Sequence, residues 1–306
     1  MIQDRLRRLQ ALENEQQTLS GTPDEAQRRA EIAEERSALV AGCAELSSAE
    51  RVFLARHPKR PKIEEYIEAL FTDFFEQKGD RQCKEDASIL GGIACYKGVP
   101  VTVLGHRKGA NLADNMKYNF GMPGPEGYRK ALRMMHQAEK FGRPVITFID
   151  TPGAYPGVEA EARGQGEAIA RNLAEMSRLT VPVISIVTGE GNSGGALAIG
   201  VANRILMLEN AVYSVLSPEG FASILWKDAS RHAEACDLMR LTAQDLYQAG
   251  IVDEIIPEPL GGAQLDKKAL FSCVDIALEK NLSALRRQTR AALASGRYKK
   301  FREIGC

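Results

Sequence analysis

The chain has 306 residues, 44% of them hydrophobic, enough to bury the core of one large α/β domain with an appendage, or of two domains. Its 40 Lys and Arg balance 40 Asp and Glu, which excludes bulk attraction to nucleic acid or a membrane surface. No apolar run reaches transmembrane length, and the polar start argues against a secretory signal.

Residues 1 to about 44 are rich in Ala, Glu, Arg, Gln and Leu, with Ile2, Leu6, Leu9 and Leu12 at helical spacing. Ser20-Gly21 breaks this run, and Thr22-Pro23-Asp24-Glu25 reads as an N-cap followed by proline at the first helical position. The pattern predicts a helical hairpin too polar to be stable alone. It is either a coiled-coil tail or an arm that docks on the main domain or on another chain. Ser47-Ser48-Ala49-Glu50 has capping-box spacing and opens a short helix, and His57-Pro58-Lys59-Arg60-Pro61 follows as a linker. Residues 1–56 are therefore read as a helical docking arm and residues 57–306 as the main domain.

A helix bearing aromatic residues is predicted from Ile63 to Phe75. Ser88 to Tyr96 and Val99 to Leu104 read as strands joined by a turn at Lys97-Gly98. From there strands and helices alternate. A helix begins at Gly124-Pro125 and runs to Phe141, with Leu132, Met135 and Ala138 inward. Val145 to Ile149 is a strand ending in Asp150-Thr151-Pro152-Gly153-Ala154-Tyr155-Pro156-Gly157. A helix over Gly166 to Leu179 leads to a second apolar strand, Val181 to Thr188. Further strands are expected at 204–208, 212–215 and 251–256, with helices at 217–226 and 241–249 and one long helical tail over 267–297. This alternation implies a parallel sheet with right-handed crossovers.

The stretch Gly189-Glu190-Gly191-Asn192-Ser193-Gly194-Gly195-Ala196 reads as a glycine-rich turn between the second strand and a helix of small residues. With Ser193 as N-cap, Gly194 and Gly195 fall in the first helical turn, whose N–H groups lack intrahelical partners and suit an anion or oxyanion. Proline at position 194 is then expected to be tolerated. Close packing alone would also explain the glycines. Two successive strands ending in glycine-bearing turns favour two sets of backbone donors on one sheet edge. The stretch is not a Walker A loop, because no Lys-Ser or Lys-Thr follows.

Gly191-Asn192-Ser193-Gly194-Gly195 matches the nucleophile-elbow pattern, but the only later histidine, His232, lies in a charged segment expected to be exposed. Glu159, Glu161 and Glu190 are within reach of the cleft and read mainly as solvated surface, and Asp150, at a strand's end, is either placed to act on substrate or an ordinary turn residue. The six cysteines have no CxxC and the four histidines no HxxxH, which fits reduced thiols in a cytoplasm and no metal site on this chain. What remains is a site with many backbone donors and no general base.

Asp150 to Gly157, followed by Arg163-Gly164-Gln165 and Glu167 to Leu173, resembles the α subunit of bacterial acetyl-CoA carboxylase carboxyltransferase. The resemblance continues through Gly189-Glu190-Gly191, Ser193 to Gly200, Ser217 to Gly220, Ala222 to Lys227, Ile256 to Ala263 and Asn119 to Pro123. It implies an α/β, crotonase-like fold of stacked ββα units. It further implies transfer of the carboxyl group from carboxybiotin, on a biotin carboxyl carrier protein, to acetyl-CoA, giving malonyl-CoA for fatty acid biosynthesis. Partners so implied are a zinc-ribbon β subunit in an α2β2 assembly, the carrier protein and the ATP-dependent biotin carboxylase. No covalent cofactor, membrane or nucleic acid is expected on this chain. In that family loss of the carboxyl group leaves a ureido oxyanion that can take the methyl proton, and the enolate then attacks carbon dioxide. The resemblance assigns the oxyanion hole to the amides of Gly194 and Gly195, and substrate contacts to Gly153, Ala154, Tyr155, Ser193 and Ala196. Asn192 stands where the family commonly has glycine, and the Ala110–Lys117 loop has fewer basic residues than usual. A hydratase or isomerase of the same fold, or a non-catalytic scaffold, is the alternative.

Overall fold

A computed structural model describes residues 2–19 and 23–305. The break at Ser20-Gly21 and the cap at Thr22 lie outside the described residues. Helices α1 (Ile2–Thr18) and α2 (Pro23–Ala41) form the arm. Ile2, Leu9 and Leu12 of α1 and Ile32 of α2 are buried, a narrow apolar seam. Ion pairs Arg8–Glu35 and Arg28–Glu15 tie the helices on either side of it. Ile2 also clusters with Cys43 and with Leu54 of α3 (Ser48–Ala55). At the start of α3 the Ser47 hydroxyl accepts from Glu50 N–H, and the Glu50 carboxylate accepts from Ser47 N–H, as the capping-box spacing predicts.

Helix α4 (Ile63–Leu70) is shorter than expected, and Thr72–Glu76 forms strand β1, antiparallel to β2 (Ile89–Tyr96). Phe71 already has extended backbone, and the Thr and Phe residues that follow pack well on a pleated edge. Strand β3 (Val99–His106) pairs with β2 through a tight hairpin in which Lys97 and Gly98 both have positive φ. Beyond it come α5 (Leu112–Lys117), α6 (Pro125–Phe141), β4 (Val145–Thr151), α7 (Val158–Ala162), α8 (Gln165–Arg178), β5 (Val183–Asn192) and α9 (Ser193–Leu197). Strands β6 (Arg204–Leu208) and β7 (Val212–Ser214) precede α10 (Pro218–Trp226), α11 (His232–Met239), α12 (Ala243–Gln248) and β8 (Glu254–Ile256).

The sheet order is β1-β2-β3-β4-β5-β6-β8, antiparallel through β3 and parallel from β3 onward, with β7 added along the second half of β5. Both faces are covered. The Thr147 hydroxyl lies 2.8 Å from the Ile199 carbonyl just after α9, whereas its neighbour Phe148 stacks on Tyr66 of α4 at 5.2 Å. Successive strand residues point to opposite faces, so α9 and α4 lie on opposite sides of the sheet. Helix α3 packs Val52 and Ala55 against Val212 and Cys236, and thus sits on the main domain.

The tail is two helices, α13 (Lys267–Arg286) and α14 (Arg290–Glu303). Thr289 interrupts the expected single helix because its side chain caps Ala292 N–H and starts a new one. Helix α14 then folds back. Its buried Arg297 donates to the carbonyls of Met176, Leu179 and Val181, satisfying the open C-terminal end of α8. No helix among the described residues is long and apolar enough to cross a membrane.

Candidate active site

Strands β4 and β5 run parallel, in register from Val145↔Val183 to Ile149↔Val187, and then slip so that Thr151 pairs with Gly191. Asp150 therefore faces three residues, Thr188, Gly189 and Glu190, across a bulge. Its carboxylate fills the bulge: a Cβ on Gly189 would sit 2.6 Å from Asp150 Cγ, and Glu190 N–H donates to Asp150 Oδ1 at 3.2 Å. Glycine at 189 is thus required by a side chain of the neighbouring strand. The segment Gly189–Asn192, expected as a turn, is strand, held by β4 on one side and by β7 on the other.

The reversal falls at Ser193, whose φ is +56°, a left-handed conformation uncommon for a residue with a side chain. Asn192 is the capping residue, extended and without a side-chain cap, so the assignment of Ser193 as N-cap is corrected. The tolerance expected for proline at 194 falls with it, since proline drives its predecessor toward extended backbone. The Asn192 side chain is instead held by the Ser214 hydroxyl at 2.8 Å and by Glu190. No histidine serves Ser193 as a base: His232 is exposed, and His106 Nε2 is engaged by the Gly195 carbonyl at 3.2 Å.

In the first turn of α9, Ser193 is exposed, Gly194 half-buried, and Gly195 and Ala196 buried. Gly195 abuts the other junction: a Cβ there would lie 2.6 Å from both Ala154 N and Gly153 C. At Gly194 a Cβ would meet only the Ile169 side chain, at 3.3 Å. The fold thus brings Gly153, Ala154 and Gly195 together from residues some forty positions apart. Gly153 N–H is committed to Thr151 Oγ1 at 3.0 Å, and Tyr155 N–H to the Pro123 carbonyl at 3.0 Å. Ala154 N–H donates to none of the described residues. Tyr155 is half-buried, its hydroxyl 3.1 Å from Glu159. Glu159 and Glu161 are exposed, as read from the sequence.

Asp150 and Glu190 are not solvated. Lys108, just past β3, places its Nζ 2.8 Å from Asp150 Oδ1 and 2.9 Å from Glu190 Oε1. Arg56 reaches Glu190 Oε2 at 2.9 Å and Glu219 at 2.7 Å. Burial would push the Asp150 carboxyl up, but Lys108, Lys62 and the Glu190 N–H outweigh it and hold the group below its ordinary range. The two carboxylates are pinned to cations at the strand ends. Arg60 adds a buried pair with Glu258 and donates to the Thr188 carbonyl at the bulge. Lys108 and Arg56 carry no local sequence signal, because their partners lie 42 to 163 residues away.

Burial lowers the His106 imidazole to about 4, so the ring is neutral beneath Gly195. A folded-state value below the ordinary 6.5 gives stability that is full above pH 6.5 and lost as pH falls toward 4. The loss is about 3 kcal/mol for a shift of this size. Urea unfolding at pH 7 and pH 4.5 should show it, and the His106→Gln variant should lose distinctly less over the same interval. Equal losses in both proteins would mean that His106 does not titrate in this way.

Residues 1–305 match the family described as acetyl co-enzyme A carboxylase carboxyltransferase-like. The acetyl-coenzyme A carboxylase carboxyl transferase subunit alpha of Listeria monocytogenes serotype 4a is 60% identical over 252 residues, 82% of this chain and 79% of that one. The protein of the same name from Anoxybacillus flavithermus is 57% identical over 262 residues, 86% of this chain and 81% of that one. Among solved structures, a Pseudomonas malonate decarboxylase hetero-tetramer in complex with coenzyme A superposes with a TM-score of 0.60 at 18% identity, covering 76% of this chain and 90% of that one. That likeness shows the fold, an α/β fold of the crotonase-like kind.

Proposed function

The chain belongs to the acetyl-CoA carboxylase carboxyltransferase α-subunit family, and from that premise we propose how its cleft serves carboxyl transfer from carboxybiotin to acetyl-CoA, giving malonyl-CoA. The observation that carries the reading is the meeting of the two strand–helix junctions, with Gly195 against Gly153–Ala154 and both strand-end carboxylates tied to Lys108. Carboxybiotin, presented by the carrier protein, supplies the carboxyl group and a ureido oxygen that becomes anionic when the group leaves. Gly194 and Gly195 N–H, in the first turn of α9, have no intrahelical partner and fit such an oxygen. The absence of side chains at both positions lets a flat ring approach the backbone.

The chain's own residues then act by position and charge. Ala154, Tyr155 and Ser193 stand at the accessible rim and contact the substrate, while Gly153 and Ala196 form the wall behind them. Lys108 bridges Asp150 and Glu190 and so fixes the shape of the bulge, and with its charge close by the Asp150 carboxyl stays ionised and does not compete for the proton. Preorganised amides of this kind stabilise developing charge without having to reorganise. A zinc-bearing β subunit holds acetyl-CoA across the cleft in an α2β2 cytoplasmic assembly, and biotin carboxylase recharges the carrier.

The isolated chain is expected to show no measurable decarboxylation of malonyl-CoA coupled to biocytin, and mixing with the β subunit should restore it. Robust turnover by the chain alone, or hydration of crotonyl-CoA, would sink this division of labour and favour a self-contained enzyme of the same fold.

A further inference from the structure

A groove of about 330 Å³ lies at the opposite edge of the sheet from Asp150 and Asn192, beside Val99, Pro144 and Pro182 at the starts of β3, β4 and β5. Three arginines line it, Arg143, Arg286 and Arg290, and no Asp or Glu does. Arg143 is half-buried, yet its guanidinium has only neutral partners, Thr102 Oγ1 at 3.3 Å and Gln137 Oε1 at 3.1 Å. Burial lowers its basicity with no carboxylate to offset the cost. Arg286 and Arg290 flank the break between α13 and α14, and neither side chain has a hydrogen bond or ion pair among the described residues. Arg290 turns toward Gly142, next to Arg143, since a Cβ on Gly142 would lie 3.8 Å from its guanidinium nitrogen.

Arginines at the ends of helices commonly satisfy C-terminal carbonyls. Arg297 does so nearby, with three carbonyls as partners. Arg286 and Arg290 make no such bond, so capping does not account for them. Glu139, behind the lining residue Thr180, accepts from the Thr180 N–H and hydroxyl and forms no ion pair with the three arginines. Uncompensated cations gathered in one concavity are the arrangement that recognises a phosphate dianion. Apart from Thr180 and Gln288 the rest of the wall is apolar, and the exposed Phe141 ring lies along it with Arg143 at 5.2 Å.

We propose that this groove binds a small phosphate monoester carrying an apolar or aromatic group, at a site separate from the carboxyl-transfer cleft. The phosphate pairs with the three guanidiniums, and the organic part lies against Phe141 and the proline floor. The size of the groove suits a ligand of one ring and one phosphate rather than a polymer.

Phenyl phosphate, inorganic phosphate and benzoate serve as probes in calorimetric titration of the full chain. Phenyl phosphate is expected to bind at one site per chain with a dissociation constant of about 1 mM or below. Inorganic phosphate and benzoate should each bind at least about tenfold more weakly, lacking the ring or the second charge. The doubly exposed pair Arg286→Gln/Arg290→Gln, which disturbs no packing, should weaken phenyl phosphate by about tenfold or more. Phe141→Ser should erase the preference over inorganic phosphate. Absence of saturable binding, undiminished binding in the double variant, or benzoate matching phenyl phosphate would each overturn the proposal.

Discussion

Gly195→Ala is expected to lower carboxyl transfer by on the order of 10²–10³ while Gly194→Ala loses far less. The added methyl at 195 would fall 2.6 Å from Ala154 N and Gly153 C, a backbone-to-backbone conflict that can be relieved only by moving one junction away from the other. Side chains cannot absorb it. At Gly194 the methyl meets Ile169 Cγ2 at 3.3 Å and Cδ1 at 3.6 Å, and an isoleucine side chain can give by that much. Both variants keep every N–H, so the comparison isolates the placement of the donors. The measurement is kcat with the β subunit present, after thermal unfolding and gel filtration have shown each variant folded and assembled. A folded, assembled Gly195→Ala enzyme with near-normal kcat would show that the spacing of the two junctions is irrelevant to the reaction.

The largest effect on stability is expected at Arg60. Its side chain is 1% exposed and that of Glu258 is 0% exposed, and the pair joins the 57–61 linker to the segment after β8. Removing one member of a buried pair leaves the other charged and unmatched, which costs about 3–5 kcal/mol. In Arg60→Met the Glu258 carboxylate keeps the N–H groups of Asn210 and Ala263, both at 3.0 Å, so the lower end of that range applies. Adding Glu258→Gln removes the stranded charge and should recover part of the loss. Urea unfolding of the wild type, the two single variants and the double variant gives the four corners. A cost for Arg60→Met below about 1 kcal/mol would mean water reaches the pair.

Much of this architecture was legible in the sequence, because periodicity and capping chemistry are local. The Ser47–Glu50 box, the Lys97-Gly98 hairpin and the proline-led α6 formed where the residues predict. Departures came where a distant group decides the outcome. Gly189 looks like a turn residue but is small because Asp150 occupies its side-chain space. Thr72–Glu76 continues a helical pattern until the edge of β2 offers hydrogen bonds. Ser193 has cap chemistry, yet the β5 ladder extends through Asn192 and leaves the reversal to fall on Ser193 itself. At the site, the glycines and Ala154 were identifiable from motif and resemblance. The Lys108–Asp150–Glu190 cluster was not, since nothing in three segments far apart in the sequence announces that they will meet.

The arm and the main domain are held by different forces. Between α1 and α2 the buried seam is a handful of aliphatic residues, flanked by arginine–glutamate pairs open to solvent. The sheet domain rests on a continuous apolar interior that dissolved ions do not reach. Added salt shortens the Debye length to a few ångströms and weakens the first kind of contact while leaving the second almost untouched. Ionic strength therefore acts on this protein as a selective solvent variable, able to loosen the hairpin, and whatever it grips, at concentrations where the catalytic frame remains folded.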